Sequence, residues 1–400
     1  MKYDYLSTDQ AIEDFCRDIA AAPLIAFDTE FVSEDRYYPE LCLVQVAAGD
    51  RLAILDPLAG ADLGPFWRLV STGTHITVVH AGREEFRFCR RAASARPVRL
   101  FDTQLASGLI GLDYPAAYGT LLQKLLGQTL GKGETRTNWR RRPLSKRQLE
   151  YALQDVIYLE PLYERIAGDL ERMGRRQWLE DELTVWQDQL EQEETTERWR
   201  RVSGISGLSR RQLAILHELW RWRDAQARGR DIPARRVLRD DLMLELARRA
   251  SDDEQQIRAV RGMDWRKLQR AIPEIAACVS RGLALPDEVC PYAGPRTPRP
   301  QYGLLGQFLA TAVNSMARAA HVAPGLVGSV QDVRDLIAHH LGHEDDEPPA
   351  LAVGWRAEVV GQVVDRLLDG KLAIRITDPN SNQPLSFEPL SIDPLDRGNS

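Results

Sequence analysis

An apolar strand that runs into two carboxylates is the feature that most constrains the fold of this chain. Residues 21–26 have the pattern of a buried strand entered through Pro23, and Asp28 and Glu30 follow directly. Side chains two apart on a strand point to the same face, so these two acids lie side by side. Their repulsion favours a hard divalent cation with oxygen ligands, Mg²⁺ or Mn²⁺. A surface turn with two solvated acids would produce the same short pattern.

A later helix carries a second acidic motif. Within 149–159 the apolar residues recur at helical spacing, which predicts an amphipathic helix. Tyr151 and Asp155 are four residues apart and therefore share one face of this helix. A carboxylate there can hold a cation while the phenol hydrogen-bonds a water molecule beside it.

A strand-to-helix turn supplies a third acidic motif. Residues 76–80 read as a buried β-branched strand that ends at His80, and Gly82 marks the change of period. Because α/β sheets bind ligands at the carboxyl ends of their strands, Glu84 and Glu85 are candidate ligands. Acids in the first turn of a helix are also favoured by the helix dipole, so these two residues taken alone have a structural explanation.

Together these motifs resemble those of the DEDD exonucleases, in the subclass with a tyrosine in the last motif, and within it the ribonuclease D family. The resemblance rests on Asp28-x-Glu30, the acid five residues after His80, and Tyr151-x-x-x-Asp155. Four further segments follow in the order that the family shows: 101–104, 132–139, 142–145 and 148–156. A set of motifs in a fixed order is far more specific than any one acid pair.

The resemblance implies a ribonuclease H-like α/β fold, with a mixed sheet flanked by helices, and two-metal hydrolysis of RNA 3′ ends to nucleoside 5′-monophosphates. It implies that Asp28 bridges two Mg²⁺ or Mn²⁺ ions and that Glu30 and Asp155 complete the first site. Glu85 would serve the second ion, and Tyr151 would orient the attacking water. The implied partner is RNA with a single-stranded 3′ end, in particular transfer RNA precursors, and neither a membrane nor a protein partner is implied.

One position departs from the family pattern and leaves alternatives open. The second motif usually has aspartate where this chain has Glu85, and the neighbouring Glu84 could take its place. A catalytically weakened RNA-binding protein is therefore an alternative to an active enzyme. A 3′–5′ DNA exonuclease is another alternative, because selection of RNA depends on contacts to the 2′-hydroxyl that the sequence does not reveal.

A polar loop between the acidic motifs is a candidate for nucleic-acid binding. Arg136, Arg140, Arg141 and Arg142 surround Trp139. Such a charge run is commonly a solvated loop. Arginines on phosphates with an indole stacked on an unpaired base would instead form a clamp on a single strand. The position of the loop between two acidic motifs favours the clamp.

The second half of the chain predicts all-α domains. Residues 204–285 resemble an HRDC domain, with a helix capped by Ser209 and a turn at 228–234. This segment has 17 Lys or Arg against 11 Asp or Glu, a local net charge of +6 in a chain of −6. Such asymmetry favours an auxiliary nucleic-acid surface, and a solvated bundle face is the alternative.

The predicted organisation, in chain order, is an exonuclease domain at 1–170, a helical spacer at 171–203, the HRDC domain at 204–285, a Pro-rich linker at 286–301, a helical domain at 302–376 with weak similarity to a second HRDC domain, and a disordered tail at 377–400.

Five cysteines without paired spacing predict reduced thiols. No apolar run has the length of a membrane span, and the N-terminus lacks the apolar core of a signal peptide, so a cytoplasmic location is expected.

Overall fold

The computed structural model describes residues 2–131, 137–292, 302–343, 347–381 and 383–390. The chain divides into two compact units. The first unit comprises residues 1–29, 43–190 and 300–400, and the second comprises 30–42 and 191–299. Most of the predicted Pro-rich linker, residues 293–301, lies outside the described residues.

A mixed six-stranded sheet carries the acidic motifs. Its strands are β1 (Asp4–Leu6), β2 (Leu24–Val32), β3 (Glu40–Ala48), β4 (Arg51–Leu55), β5 (Ile76–Val79) and β6 (Leu100–Asp102), in the order β1-β4-β3-β2-β5-β6. Strands β3 and β4 form an antiparallel hairpin, while β2, β5 and β6 run parallel. The mixed α/β sheet predicted from the sequence is confirmed. β1, which pairs in parallel with β4, was not predicted.

Helices cover this sheet and continue beyond it. They are α1 (Asp9–Ile19), α2 (Gly64–Thr72), α3 (Arg83–Ala93), α4 (Thr103–Leu109), α5 (Tyr118–Leu126), α6 (Lys146–Ile157), α7 (Leu159–Arg172) and α8 (Arg176–Thr195). α1 begins after Thr8, whose side chain accepts a hydrogen bond from the Ala11 amide. α6 begins with a capping box made by Ser145 and Gln148.

The second unit contains a helical bundle with its own core. Its helices are α9 (Arg210–Arg230), α10 (Ala234–Val237), α11 (Asp240–Arg249), α12 (Glu254–Arg258) and α13 (Arg266–Ala284). α9 has the cap predicted at Ser209, which forms a capping box with Gln212. Leu216, Leu219 and Ile272 are among the fully buried residues of this core. The predicted all-α domain is therefore confirmed.

The C-terminal segment is helical with a terminal hairpin. Its elements are α14 (Gly303–Ala319), α15 (Pro324–Val327), α16 (Val330–His340), α17 (Gly354–Arg356), a π-helical turn at Ala357–Gly361, α18 (Gln362–Leu368), β7 (Leu372–Ile376) and β8 (Leu385–Pro389). β7 and β8 pair in an antiparallel hairpin. The predicted disordered tail at 377–400 is thus wrong for 385–389, whose backbone groups pair with β7, and 391–400 lie outside the described residues.

Two predicted boundaries differ from the structure because apolar surface is buried across them. Residues 302–376 do not form a separate domain, since α14 and α16 share one hydrophobic core with α4 and α7. The Ala323 amide also donates to the Gly108 carbonyl at 2.8 Å. The predicted spacer at 171–203 is likewise part of the first unit up to residue 190, because α8 buries Leu179 and Leu183 in the same core.

Two further predictions concern thiols and membranes. All five cysteines are buried and free, as predicted from their number and spacing. Among the described residues, no helix combines the length and the apolar character that a bilayer crossing requires.

Candidate metal centre

Three carboxylates from two distant parts of the sequence meet at one place. Asp28 and Glu30 come from β2, and Asp155 comes from α6. One carboxylate oxygen of each lies within 4.8 Å of the others, and all three side chains are half-buried. Oxygen donors at this spacing fit a hard divalent cation, which also offsets the mutual repulsion of the acids. The structure thus brings together three of the four predicted metal ligands.

The surroundings of Asp155 disfavour its charge when no cation is bound. Burial raises the pKa of Asp155 to about 7, while a hydrogen bond with the Tyr151 side chain acts in the opposite direction. The predicted i, i+4 pairing of these two residues on one face of α6 is therefore present. A carboxylate that is costly to ionise alone gains most from a bound cation.

Glu85 is not a member of this cluster. It lies in the first turn of α3, is 5% exposed, and its Oε1 accepts a hydrogen bond from the Thr29 hydroxyl at 2.5 Å. Thr29 lies between Asp28 and Glu30, so its side chain points to the opposite face of β2. Burial raises the pKa of Glu85 to about 7, although the Thr29 hydrogen bond favours the charged form. Glu84 forms an ion pair with Arg87 instead.

The turn that places Glu85 is fixed by Asp102. The Asp102 carboxylate accepts hydrogen bonds from the amides of Ala81 and Gly82, at 3.1 and 2.8 Å. It also caps the N-terminus of α4. A Cβ atom at Gly82 would lie 2.3 Å from the Val79 side chain, so this close approach requires glycine. The start of α3 is therefore rigidly attached to the ends of β5 and β6.

The polar loop before α6 differs from the predicted clamp. Trp139 is 5% exposed, and its ring centroid lies 6.3 Å from that of Tyr151. In this position the indole is packed in the protein and does not offer a face to an unpaired base, so the predicted stacking role of Trp139 is wrong for this structure. Arg141 is exposed and Arg140 is half-buried, while Arg136 lies outside the described residues.

Arg142 forms an ion pair with Asp56, the residue that follows β4. Its Nε and Nη2 each lie 2.6 Å from an oxygen of Asp56, whose side chain is only 1% exposed. Asp56 also accepts hydrogen bonds from the Tyr5 hydroxyl and the Leu58 amide. Burial alone would raise the pKa of Asp56, but these partners hold it below its usual value. Arg142 thus anchors the loop instead of presenting its guanidinium to RNA.

Sequence reasoning missed Tyr118, which begins α5. Its pKa is raised first by burial and then by the negative charges of Asp155 and Asp28, so its phenol lies close to the carboxylate cluster. Its ring centroid is 5.3 Å from that of His80. The sequence around Tyr118 contains no recognisable motif, so only the tertiary position of this tyrosine identifies it as a neighbour of the carboxylates.

Comparisons with known proteins agree with this geometry. Residues 3–171 match the family model described as 3′–5′ exonuclease, and residues 212–279 match the HRDC domain. Ribonuclease D of Acidiphilium cryptum is 34% identical over 92% of this chain and 94% of that relative. Ribonuclease D of Pseudomonas paraeruginosa is 31% identical over 91% of this chain and 97% of its own length.

Solved structures give the same result. The crystal structure of Escherichia coli RNase D, described as an exoribonuclease involved in structured RNA processing, superimposes with a TM-score of 0.81 and 28% identity. The match covers 92% of this chain and 99% of that one. A protein from Bifidobacterium adolescentis matches with a TM-score of 0.67 and 26% identity, over 92% of this chain and 97% of its own. With a 3′–5′ exonuclease domain, an HRDC domain and relatives of this identity over nearly its whole length, the chain belongs to the ribonuclease D family of hydrolytic 3′–5′ exoribonucleases.

Proposed function

We propose that this chain removes nucleotides one at a time from the 3′ ends of structured RNAs, with Asp28, Glu30 and Asp155 as the centre of the reaction. The observation that carries the proposal is the meeting of these three carboxylates within 4.8 Å of one another. The natural substrates are RNAs with an unpaired 3′ tail, in particular transfer RNA precursors. Five buried free thiols are consistent with work in the reducing cytoplasm.

The chain supplies the ligands and the orientation for this chemistry. Asp28, Glu30 and Asp155 hold Mg²⁺ or Mn²⁺ through oxygen atoms. When bound, two such ions activate a water molecule for attack on the phosphodiester and stabilise the leaving 3′-oxygen. The Tyr151 hydroxyl is placed beside Asp155, where it orients the attacking water, and the packed Trp139 indole restricts the motion of the Tyr151 ring.

The second ion has fewer preformed ligands than the first. Glu85, its expected ligand, is hydrogen-bonded to Thr29 and does not belong to the carboxylate cluster. The side chain as placed therefore does not fit the role of a ligand to the second ion. We propose that Glu85 acts first as a positioning residue, which holds β2 against α3 through Thr29.

Exchange of Glu85 for glutamine tests this assignment. Glutamine keeps an oxygen for the Thr29 hydroxyl and removes the buried charge, so we expect the free energy of unfolding to change by less than about 1 kcal/mol at neutral pH. The exonuclease rate is expected to fall less than in Asp28→Asn. Urea unfolding and hydrolysis assays measure the two effects. If Glu85→Gln leaves the free energy of unfolding unchanged but lowers the exonuclease rate as far as Asp28→Asn does, Glu85 is a metal ligand instead.

The proposed activity is tested with a 5′-labelled RNA that has an unpaired 3′ tail. We expect a ladder that shortens from the 3′ end with Mg²⁺ or Mn²⁺, and no ladder with chelator or in Asp28→Asn. Asp50→Asn, a change of an exposed acid in the β3–β4 turn, is the matched control and should remain active. RNA that stays intact but is retarded on a gel would contradict the proposal and favour an RNA-binding protein. Equal degradation of a matched DNA strand would favour the DNA exonuclease.

A further inference from the structure

A cavity of the first unit lies at the end of the sheet opposite to the carboxylate cluster. Its walls come from the starts of β5 and β6 and from helices α7 and α8, and its volume is about 260 Å³. Ile76, which lines it, pairs with Leu24 on the parallel strand β2, whereas Asp28 is four residues further along that strand. At about 3.3 Å per residue, this separation is about 13 Å along the strand. The cavity is therefore separate from the proposed reaction centre.

Most of the cavity wall is apolar. Side chains from β6, α7 and α8 contribute to it, among them Leu100, Phe101, Ala167, Leu170, Leu179 and Leu183. The Phe101 ring packs edge-on against that of Tyr163, with the two centroids 4.8 Å apart, so the aromatic part of the wall has a fixed orientation. In another protein, an engineered apolar cavity of about 150 Å³ binds benzene. The larger cavity here has room for a bicyclic aromatic body.

Charged side chains surround the opening of this cavity. Arg99, Arg176 and Glu180 line the cavity and are exposed, so they lie where it meets solvent. The charge of Arg176 is already compensated, because its guanidinium lies 3.5 Å from Glu180 and 2.9 Å from Glu171. Arg99 donates a hydrogen bond to the Thr74 carbonyl at 3.1 Å, and it forms no ion pair with any residue that the structure describes. Arg99 therefore supplies a positive charge that can bind an anion at the opening.

Apolar walls with one such cation at the opening match a molecule that has an apolar body and a single negative charge. Small-molecule sites commonly combine a hydrophobic lining with a few polar groups that fix the orientation of the ligand. A guanidinium binds a carboxylate through two parallel hydrogen bonds. A nucleotide fits less well, since apolar walls would leave the polar edges of its base without hydrogen-bond partners. Glu180 at the opening also disfavours a doubly charged phosphate.

We propose that this cavity binds a small monocarboxylate with a bicyclic aromatic body, with the rings packed against Phe101 and Leu170 and the carboxylate held by Arg99. The inference goes beyond the proposed function, because neither the cavity nor its ligand takes part in the hydrolysis of RNA. It gives the exonuclease domain a second binding site, for a small molecule, at the amino ends of β5 and β6.

Calorimetric titration of the full chain with 2-naphthoate tests the site, and we expect saturable binding of one molecule per chain. Ala167 is half-buried in the wall that α7 provides. Ala167→Leu fills part of the cavity, so the affinity should fall at least about tenfold. Ala92→Leu makes the same change at an exposed alanine of α3 and should alter the affinity less than about twofold. Thermal unfolding by circular dichroism verifies that both variants are folded.

The role of Arg99 is tested separately, with a change at the surface that leaves the core intact. Arg99→Gln should weaken the binding of 2-naphthoate about tenfold, because a charge-assisted hydrogen bond is lost. 2-Naphthol has the same rings without the carboxylate, so it should bind wild type more weakly than 2-naphthoate does and should bind Arg99→Gln as it binds wild type. Arg375→Gln makes the same charge change at an exposed arginine paired with Glu388 and should leave the affinity for 2-naphthoate unchanged.

Several results would overturn the proposal. The absence of saturable binding of 2-naphthoate to wild type would do so, as would equal affinities of wild type and a folded Ala167→Leu variant. Binding of 2-naphthol as tight as that of 2-naphthoate would remove the carboxylate from the site. Displacement of 2-naphthoate by adenosine 5′-monophosphate at equal concentration would assign the cavity to nucleotides instead.

Discussion

Replacing Asp155 with asparagine is expected to reduce the exonuclease rate by about a thousandfold or more. A metal ion contributes several kcal/mol to stabilising the transition state, and each 1.36 kcal/mol changes the rate tenfold. Asparagine keeps the size of the side chain but removes one of the three carboxylates that we propose as ligands of the cation. Initial rates on a 5′-labelled RNA at saturating Mg²⁺ measure the loss. Glu150→Gln, an exposed acid on the same helix, is the control and should keep its activity.

The same substitution should stabilise the metal-free protein. Because burial raises the pKa of Asp155 to about 7, its folded form binds the proton more tightly than its unfolded form. Stability therefore falls as the pH rises from about 4 to about 7, and the loss is complete above that range. Asp155→Asn removes this pH dependence. In chelator, the amount by which the variant's free energy of unfolding exceeds that of wild type should therefore grow as the pH rises across this range.

Added Mg²⁺ should narrow the difference in stability between the two proteins. A ligand that binds only the folded state at a hundred times its Kd stabilises by about 2.7 kcal/mol. Wild type should gain stability of this kind, and Asp155→Asn should gain much less. Thermal unfolding with and without Mg²⁺ measures the difference. Equal stabilisation of both proteins by Mg²⁺ would show that Asp155 does not hold the ion.

Replacing Arg142 with alanine is expected to lower the free energy of unfolding by about 3 kcal/mol. The change removes both charged hydrogen bonds to Asp56 and leaves a carboxylate that is only 1% exposed without its counter-ion. Urea unfolding measures the loss. Arg141→Ala, at the exposed neighbouring residue, should change stability by less than about 0.5 kcal/mol.

The pH dependence and a second substitution identify the cause of this loss. The pKa of Asp56 is held below its usual value, so the pair stabilises the fold above the unfolded pKa of about 4 and loses its effect as the pH falls through the folded pKa. The difference between wild type and Arg142→Ala should therefore shrink in acid. Asp56→Asn should recover part of the loss in Arg142→Ala, since it removes the unpaired charge. A loss that is independent of pH and not recovered would assign the effect to packing alone.

Much of the carboxylate cluster could be predicted because its motifs depend on local periodicity. Alternation along β2 places Asp28 and Glu30 on one face, and the helical repeat of α6 places Tyr151 beside Asp155. The helix caps at Thr8 and Ser209 also involve only the next few residues.

Where prediction went wrong, the deciding contacts join residues far apart in sequence. The loop around Trp139 has the composition of a nucleic-acid clamp, yet the indole is buried against Tyr151. The C-terminal segment has the composition of a separate domain, yet its core is continuous with α4 and α7. Composition describes what a segment could bury, but not which distant surface it meets.

The sequence by itself determined the order of the motifs, the helices and most strands, and the pairs of side chains that share a face, because these depend on neighbours within one or two turns. Only the tertiary structure decided that Glu85 bonds to Thr29, 56 residues away, and that Asp56 neutralises Arg142, 86 residues away. A buried charge takes the partner that the packed sheet and helices bring within hydrogen-bonding distance, and no local pattern specifies that partner.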